Sequence, residues 1–378
     1  MGQDIAPFEA IRISRRAHAL KAEGRRILHM EFGQPSTGAP AAAIAAAHTI
    51  LDTEAMGYWE SAPLKTRISR HYLETYGTLV APERIALTCG ASPALVLALT
   101  SAFNPGDRIA LARPGYVAYR NTILALNMVP VEIPCGADTR YQLSAAALAA
   151  LPQAPQGIIL ASPANPTGTI IPGPELAAIA EACRARSTTI ISDEIYHGLS
   201  YGPAIHSMLE FEPGAFIVNS FSKYFSMAGW RLGWLVSPEG AAARTSAYIG
   251  NLFLTAPSLA QHAGLAALDA REELDGHVAV YRRNREHLLA ALPALGLERI
   301  APPDGAFYVY TDISRFTDDS LSFYLKMLEE TGVATAPGID FDPIDGHRFM
   351  RFSFALSSAE IEEAIARLAP WFAAQPAR

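Results

Sequence analysis

The sequence predicts an α/β fold: a mostly parallel, seven-stranded sheet sandwiched by helices, with a smaller α+β domain beside it. Three observations carry this. Short β-branched or apolar runs alternate with longer Ala/Leu-rich runs through the middle of the chain, the signature of βαβ crossovers. Many of the short runs are apolar throughout, as in strands covered on both faces. Past about residue 270 this alternation gives way to a long charged helix and a mixed pattern of strands and helices.

The strands read from these runs are Arg84–Cys89, Arg108–Ala112, Val129–Ile133, Gly157–Ala161, Thr188–Ser192 and Phe216–Asn219. Ser92–Phe103, Tyr116–Leu126, Ala145–Leu151 and Pro174–Arg186 read as the helices between them. Leu232–Val236 is a seventh strand. It follows Phe216–Asn219 too closely for a helical crossover, so an antiparallel strand is expected. Beyond it come a long helix around Gly276–Leu295, a strand at Phe307–Thr311 and a helix at Leu321–Thr331. A strand at Phe349–Phe354 and a final helix at Ser358–Phe372 complete the pattern.

Composition removes several function classes. The 378 residues are 50% hydrophobic and 18% charged, too apolar for a disordered chain. With 30 Lys+Arg against 37 Asp+Glu, the net charge of −7 lacks the footprint of a nucleic-acid binder. The one basic cluster, Arg12, Arg15, Arg16, Lys21, Arg25 and Arg26, has the spacing of a solvated helix face. Cys89, Cys135 and Cys183 are odd in number and far apart, which points to a reduced, cytoplasmic protein. No run is long enough to span a membrane and no signal-peptide core opens the chain. Gly2 follows Met1, but Ala6 stands where myristoylation wants Ser or Thr. The ten His residues show no metal-ligand spacing, and His197 and His206 read as structural.

Open parallel sheets bind ligands at the carboxyl ends of their strands. Three successive strand ends carry Asn165, Asp193 and Lys223, each roughly 30 residues, or one βαβ unit, from the next. An amide, a carboxylate and an amine are thereby brought to one edge. Upstream, Thr88-Cys89-Gly90-Ala91-Ser92-Pro93 joins a strand to a helix and presents backbone N–H groups suited to a phosphate. The same residues approximate a nucleophile elbow at Ser92. The oxyanion hole would then need an N–H from Pro93, which has none. Ser92 as a simple N-cap stays open on these residues alone. No P-loop and no glycine-rich dinucleotide motif is present.

Ser162-Pro163-Ala164-Asn165-Pro166-Thr167-Gly168, Asp193-Glu194-Ile195-Tyr196, Ser220-Phe221-Ser222-Lys223 and Gly229-Trp230-Arg231-Leu232-Gly233-Trp234 resemble, in order and spacing, the class I and II pyridoxal-phosphate aminotransferases. The resemblance runs from about Phe32 to the C-terminus. It implies fold type I, as in the aspartate aminotransferase superfamily, with a large domain over 45–270 and a small domain from 1–44 plus 271–378. Lys223 would hold pyridoxal phosphate as a Schiff base, and Asp193 would face the pyridine nitrogen. Asn165 and Tyr196 would bond the ring's phenolic oxygen, and Tyr116 would stack on the ring. Ala91, Ser92, Ser220, Ser222 and Arg231 would hold the phosphate, with Tyr58 reaching the phosphate of a neighbouring subunit in a homodimer. Arg351 would fork onto the substrate carboxylate, in a cleft lined by Gly33 and Asn165.

The pattern departs from the family at Ala62-Pro63, Trp59, Lys65, Ala164 and Asp342. None of these removes a group given a role, though Trp59 and Asp342 obscure the substrate pocket. The implied reaction moves an amino group between an amino acid and a 2-oxo acid. Arg282, Arg283 and Arg285 read as a wet helix face, so no second cation awaits a dicarboxylate. Phe32, Trp59 and Phe341 are expected to line the pocket, which favours a neutral or aromatic substrate. A β-eliminating C–S lyase is the alternative within the same chemistry. A pyridoxal-phosphate-binding regulator is disfavoured, because some 30 residues before Phe32 leave no room for a DNA-binding domain.

Overall fold

The structure is a computed structural model describing Ile5 and residues 7–378; Gly2 and Ala6 lie outside the described residues. Its centre is a seven-stranded sheet. In chain order the strands are β1 (Ile85–Thr88), β2 (Arg108–Arg113), β3 (Val129–Pro134), β4 (Gly157–Ala161), β5 (Thr189–Asp193), β6 (Phe216–Ser220) and β7 (Gly233–Val236). Across the sheet they run β1-β7-β6-β5-β4-β2-β3. Strands β2 to β6 pair in parallel, and β7 is antiparallel to both its neighbours, as its short connection requires.

Alternation along each strand divides its apolar side chains between two helical layers. Ile158, Leu160, Ile190, Ile217 and Trp234 point into one core, built with the helices Ala62–Tyr76, Gly173–Ala185 and Ser258–Ala267. Ile159, Ile191, Phe216, Val218 and Leu235 point into the other, built with Ala91–Ala102, Val117–Ala125 and Ala242–Leu252. The continuous apolar runs are thus explained by burial on both faces.

A second body of structure uses both ends of the chain. Strands β8 (Tyr308–Asp312), β9 (Ala336–Pro337) and β10 (Phe349–Ser353) form an antiparallel sheet in the order β9-β10-β8. Leu28–His29 pairs in parallel with Val333–Ala334. One core gathers Ile13, Ala17 and Leu20 of the helix Glu9–Ala22 with Tyr281, Leu288, Phe352, Ile361 and Leu368. The basic cluster lies on the outer side of that helix and just beyond it. Arg16, Arg25 and Arg26 there pair with Glu329 and Glu363 of neighbouring helices. Among the described residues, no helix is long and apolar enough to cross a membrane.

Candidate active site

The strand directions decide which residues meet. Strands β2, β4, β5 and β6 are mutually parallel, and two antiparallel steps through β7 make β1 parallel to β6. The carboxyl ends of all five therefore share one edge, along with the start of β7. That edge brings Ala91 and Ser92, Tyr116, Asn165, Asp193 and Tyr196, Ser222 and Lys223, and Arg231 around one cavity of about 530 Å³. The second body closes it with Gly33, Tyr308 and Arg351.

Asp193 is buried at the end of β5. Its Oδ2 accepts from the Tyr119 hydroxyl at 2.6 Å and its Oδ1 from the Ile195 amide at 3.1 Å. Burial raises this carboxyl above its ordinary pKa, against the pull of those two donors and of Lys223. A cationic ring nitrogen against it would supply the missing counter-charge. Lys223 donates from Nζ to the Gly33 carbonyl, and Nζ lies 5.7 Å from the Tyr196 ring centre. Desolvation, reinforced by Arg351 and Arg231 and opposed by Asp193, lowers its pKa to about 8.

Arg351, on β10, is 2% exposed. It donates to Asn165 Oδ1 at 2.7 Å and to the Glu31 carbonyl, and its guanidinium lies 4.3 Å from the Tyr308 ring centre. Its buried Nε has no hydrogen-bond partner among the described residues. Because Arg351 can only donate, the Asn165 oxygen faces it and the Asn165 NH2 is turned the other way. Tyr196 shares a 2.6 Å hydrogen bond with Tyr308. Gly33 is required by close approach, since a Cβ there would overlap the Tyr308 hydroxyl.

The phosphate end can be tested against the backbone. Gly90 takes φ +99° as the N-cap of Ala91–Ala102 and supplies no side-chain cap, so the first N–H groups of that helix stay available. A Cβ at Gly90 would strike the Arg231 guanidinium, which donates to the carbonyls of Cys89 and Ala228. An uncapped helix start beside an arginine fork, facing Ser222, fits a phosphate. Ser92 is the second residue of the helix and Gly90 its N-cap, so the N-cap reading of Ser92 is corrected.

Other residues fall elsewhere. Ser220 sits behind the cavity wall, its hydroxyl bonded to Ser222 and the Leu232 carbonyl. Tyr58 is 86% exposed and does not line the cavity of its own chain. Of the three aromatics expected in the pocket only Phe32 lines it. Trp59 stacks on His262 at 4.3 Å, and Phe341 backs the Arg351 guanidinium at 4.7 Å. Asp342 caps its own loop and pairs with Arg113. Arg282 and Arg285 hold backbone carbonyls of Tyr201 and Pro303. His197 is locked between the Tyr76 hydroxyl and the Ser162 carbonyl. Sequence reasoning missed Tyr119 and Tyr308. Tyr119 had one available signal: it follows Tyr116 by three residues, hence lies on the same helix side.

Comparison with known proteins identifies the family. The chain matches the family described as aminotransferase class I and II over residues 26–368. It is 45% identical over 356 residues to the valine–pyruvate aminotransferase of Mycobacterium tuberculosis, covering 92% of each chain. The crystal structure of an aminotransferase from Mycobacterium tuberculosis superposes with a TM-score of 0.96 at 43% identity, covering 98% of both chains. The aspartate aminotransferase from Thermus thermophilus with maleate gives 0.91 at 28% identity, covering 98% of this chain and 99% of that one. None of these findings favours the lyase alternative. The chain belongs to the class I and II aminotransferases and is an enzyme whose cofactor is pyridoxal phosphate.

Proposed function

We propose that the protein transfers the amino group of a neutral amino acid with an apolar side chain, aliphatic or aromatic, to a 2-oxo acid, as a cytoplasmic homodimer. The observation that carries the substrate class is the cavity lining. Its cations are Lys223, Arg231 and Arg351, and the rest of the wall includes Phe8, Ile11, Phe32, Leu95 and Ile195. Lys223 is taken by the cofactor, Arg231 by its phosphate and Arg351 by the α-carboxylate, which leaves none in this lining for a second carboxylate. A relative named for valine and pyruvate supports the same class.

When bound, pyridoxal phosphate supplies an electron sink for the bond broken at the substrate Cα and carries the amino group between half-reactions. In this reading Arg351 grips the α-carboxylate bidentately, and Asn165 orients that arginine. Lys223 anchors the cofactor and moves the Cα proton, a task suited to an amine with a lowered pKa. Asp193 would stabilise positive charge on the ring nitrogen, Tyr196 and the Asn165 NH2 would serve as donors to the ring's phenolic oxygen, and Tyr116 would offer an aromatic face to the ring. Ser220 braces Ser222, which holds the phosphate with Arg231 and the N–H groups of Ala91 and Ser92. Tyr58, exposed in one chain, reaches the phosphate of the other. Residues 1–44 and 271–378 close on 45–270 when substrate occupies Arg351.

The test is a half-reaction screen of the cofactor-loaded enzyme, following cofactor absorbance and 2-oxo acid release. Valine, leucine and phenylalanine should react, with aspartate slower by roughly a hundredfold for want of a partner for its distal carboxylate. Aspartate reacting as well as valine would overturn the substrate class. A Lys223→Ala enzyme with undiminished turnover, or with cofactor still trapped by borohydride, would overturn the mechanism.

A further inference from the structure

Part of the cavity wall comes from the start of the helix Glu9–Ala22. Phe8 and Ile11 both line the cavity, and the Phe8 ring meets Tyr116 edge-on with centroids 6.3 Å apart. Phe8 occupies the N-cap position but has no oxygen with which to cap, so the first N–H groups must be satisfied from elsewhere. Asp340 does this with both carboxylate oxygens. Its Oδ1 accepts from the Glu9 amide and its Oδ2 from the Ala10 amide, each at 2.8 Å, and the residue is 3% exposed. Asp340 ends the turn Gly338–Asp340, and the next residue, Phe341, backs the guanidinium of Arg351. The Phe341 carbonyl accepts from the Gly115 amide at 2.9 Å, beside Tyr116. A single turn therefore touches the wall helix, the carboxylate-binding arginine and the loop carrying Tyr116.

We propose that Asp340 is a positioning residue for side-chain selection: it sets Phe8 and Ile11 at a fixed place relative to Arg351, as the surface against which the substrate's apolar side chain packs. The proposal rests on the neutral-substrate reading above. A long side chain gains from such a wall because it removes apolar area from water. The methyl group of alanine extends too little to feel it. The wall should thus govern discrimination between side chains and leave the chemistry at Cα alone.

The experiment measures half-reaction specificity constants for alanine, valine, leucine and phenylalanine. It compares cofactor-loaded wild type with Phe8→Ala, Ile11→Ala and Asp340→Asn. The leucine-to-alanine ratio should fall roughly tenfold in Phe8→Ala, with the constant for alanine held within about twofold. Ile11→Ala should shift the ratio the same way. Asp340→Asn should reproduce the pattern, because its NH2 faces one of the two amides that need an acceptor. Bound-cofactor absorbance should match wild type in all three. Asp340→Asn slowing alanine and leucine alike, or leaving the ratio unchanged, overturns the positioning role. A wild type that prefers aspartate overturns the neutral-substrate reading instead. The wall is then judged on the aspartate-to-alanine ratio, and variants that leave that ratio unchanged overturn it as well.

Discussion

Asp193 depends on Tyr119. A buried carboxylate is held in its ionised form by donors and cations, and among the described residues the Tyr119 hydroxyl is one of two donors to it. Tyr119→Phe removes that donor without opening a cavity. Losing a buried charge-assisted bond costs about 1–3 kcal/mol, so kcat should fall about tenfold or more and cofactor affinity should weaken. Steady-state kinetics and a pyridoxal-phosphate titration read both. Lys223 makes a second prediction. Its amine is nucleophilic only when neutral, which its pKa of about 8 permits above that pH and prevents below it. Cofactor uptake by the cofactor-free protein should therefore quicken as pH rises and reach half its maximal rate near pH 8, measured by rapid mixing. Replacing Arg351, which lowers the amine's pKa, with Met should move that midpoint upward.

At the scale of elements, the junction of β1 with the helix Ala91–Ala102 is the most constrained. Gly90→Ala must adopt φ +99° with a side chain and push Arg231 off the Cys89 carbonyl. Cofactor should then be lost on dialysis far faster than from wild type, with the folded secondary structure kept, as circular dichroism would report. Elements of this kind also mark how far sequence reasoning reached. Asn165, Asp193 and Lys223 were legible because parallel strands deliver their following residues to one edge, whatever the packing details. The helices Ala41–Thr53 and Ser258–Ala267 received no assignment, since runs dominated by alanine show little contrast between faces. Tyr119 and Tyr308 were missed because each sits inside a regular element, where an aromatic reads as core. Trp59 and Phe341 were misplaced for the opposite reason. Their partners, His262 and Arg351, are distant in sequence and claim the rings for packing. The wall formed by Phe8 and Ile11 depends on a contact with Asp340 some 330 positions away, which no local pattern encodes.

For the whole molecule, Tyr58 gives the decisive prediction. Tyr58 is 86% exposed in its own chain, and in the proposed dimer it completes the neighbour's phosphate site. Tyr58→Ala should weaken cofactor binding while sedimentation still reports two chains per particle. Mixed dimers of Tyr58→Ala with Lys223→Ala should form one damaged site and one intact site in each particle if the donors pair as Tyr58→Ala chain to Lys223→Ala site, so activity should rise above that of either variant alone. No recovery on mixing would place Tyr58 outside the site.

The segment Glu31–Gly33 joins the two bodies in a way that bears on how the enzyme can change. The carbonyl of Glu31 is gripped by Arg351 and that of Gly33 by Lys223, so the proposed anchor for substrate and the proposed agent of proton movement share one short backbone gauge. A shift of that backbone displaces both registrations at once. Substitutions along it should therefore alter substrate affinity and turnover in concert, and selection for new substrates has freer play in the walls around the gauge than in the gauge itself.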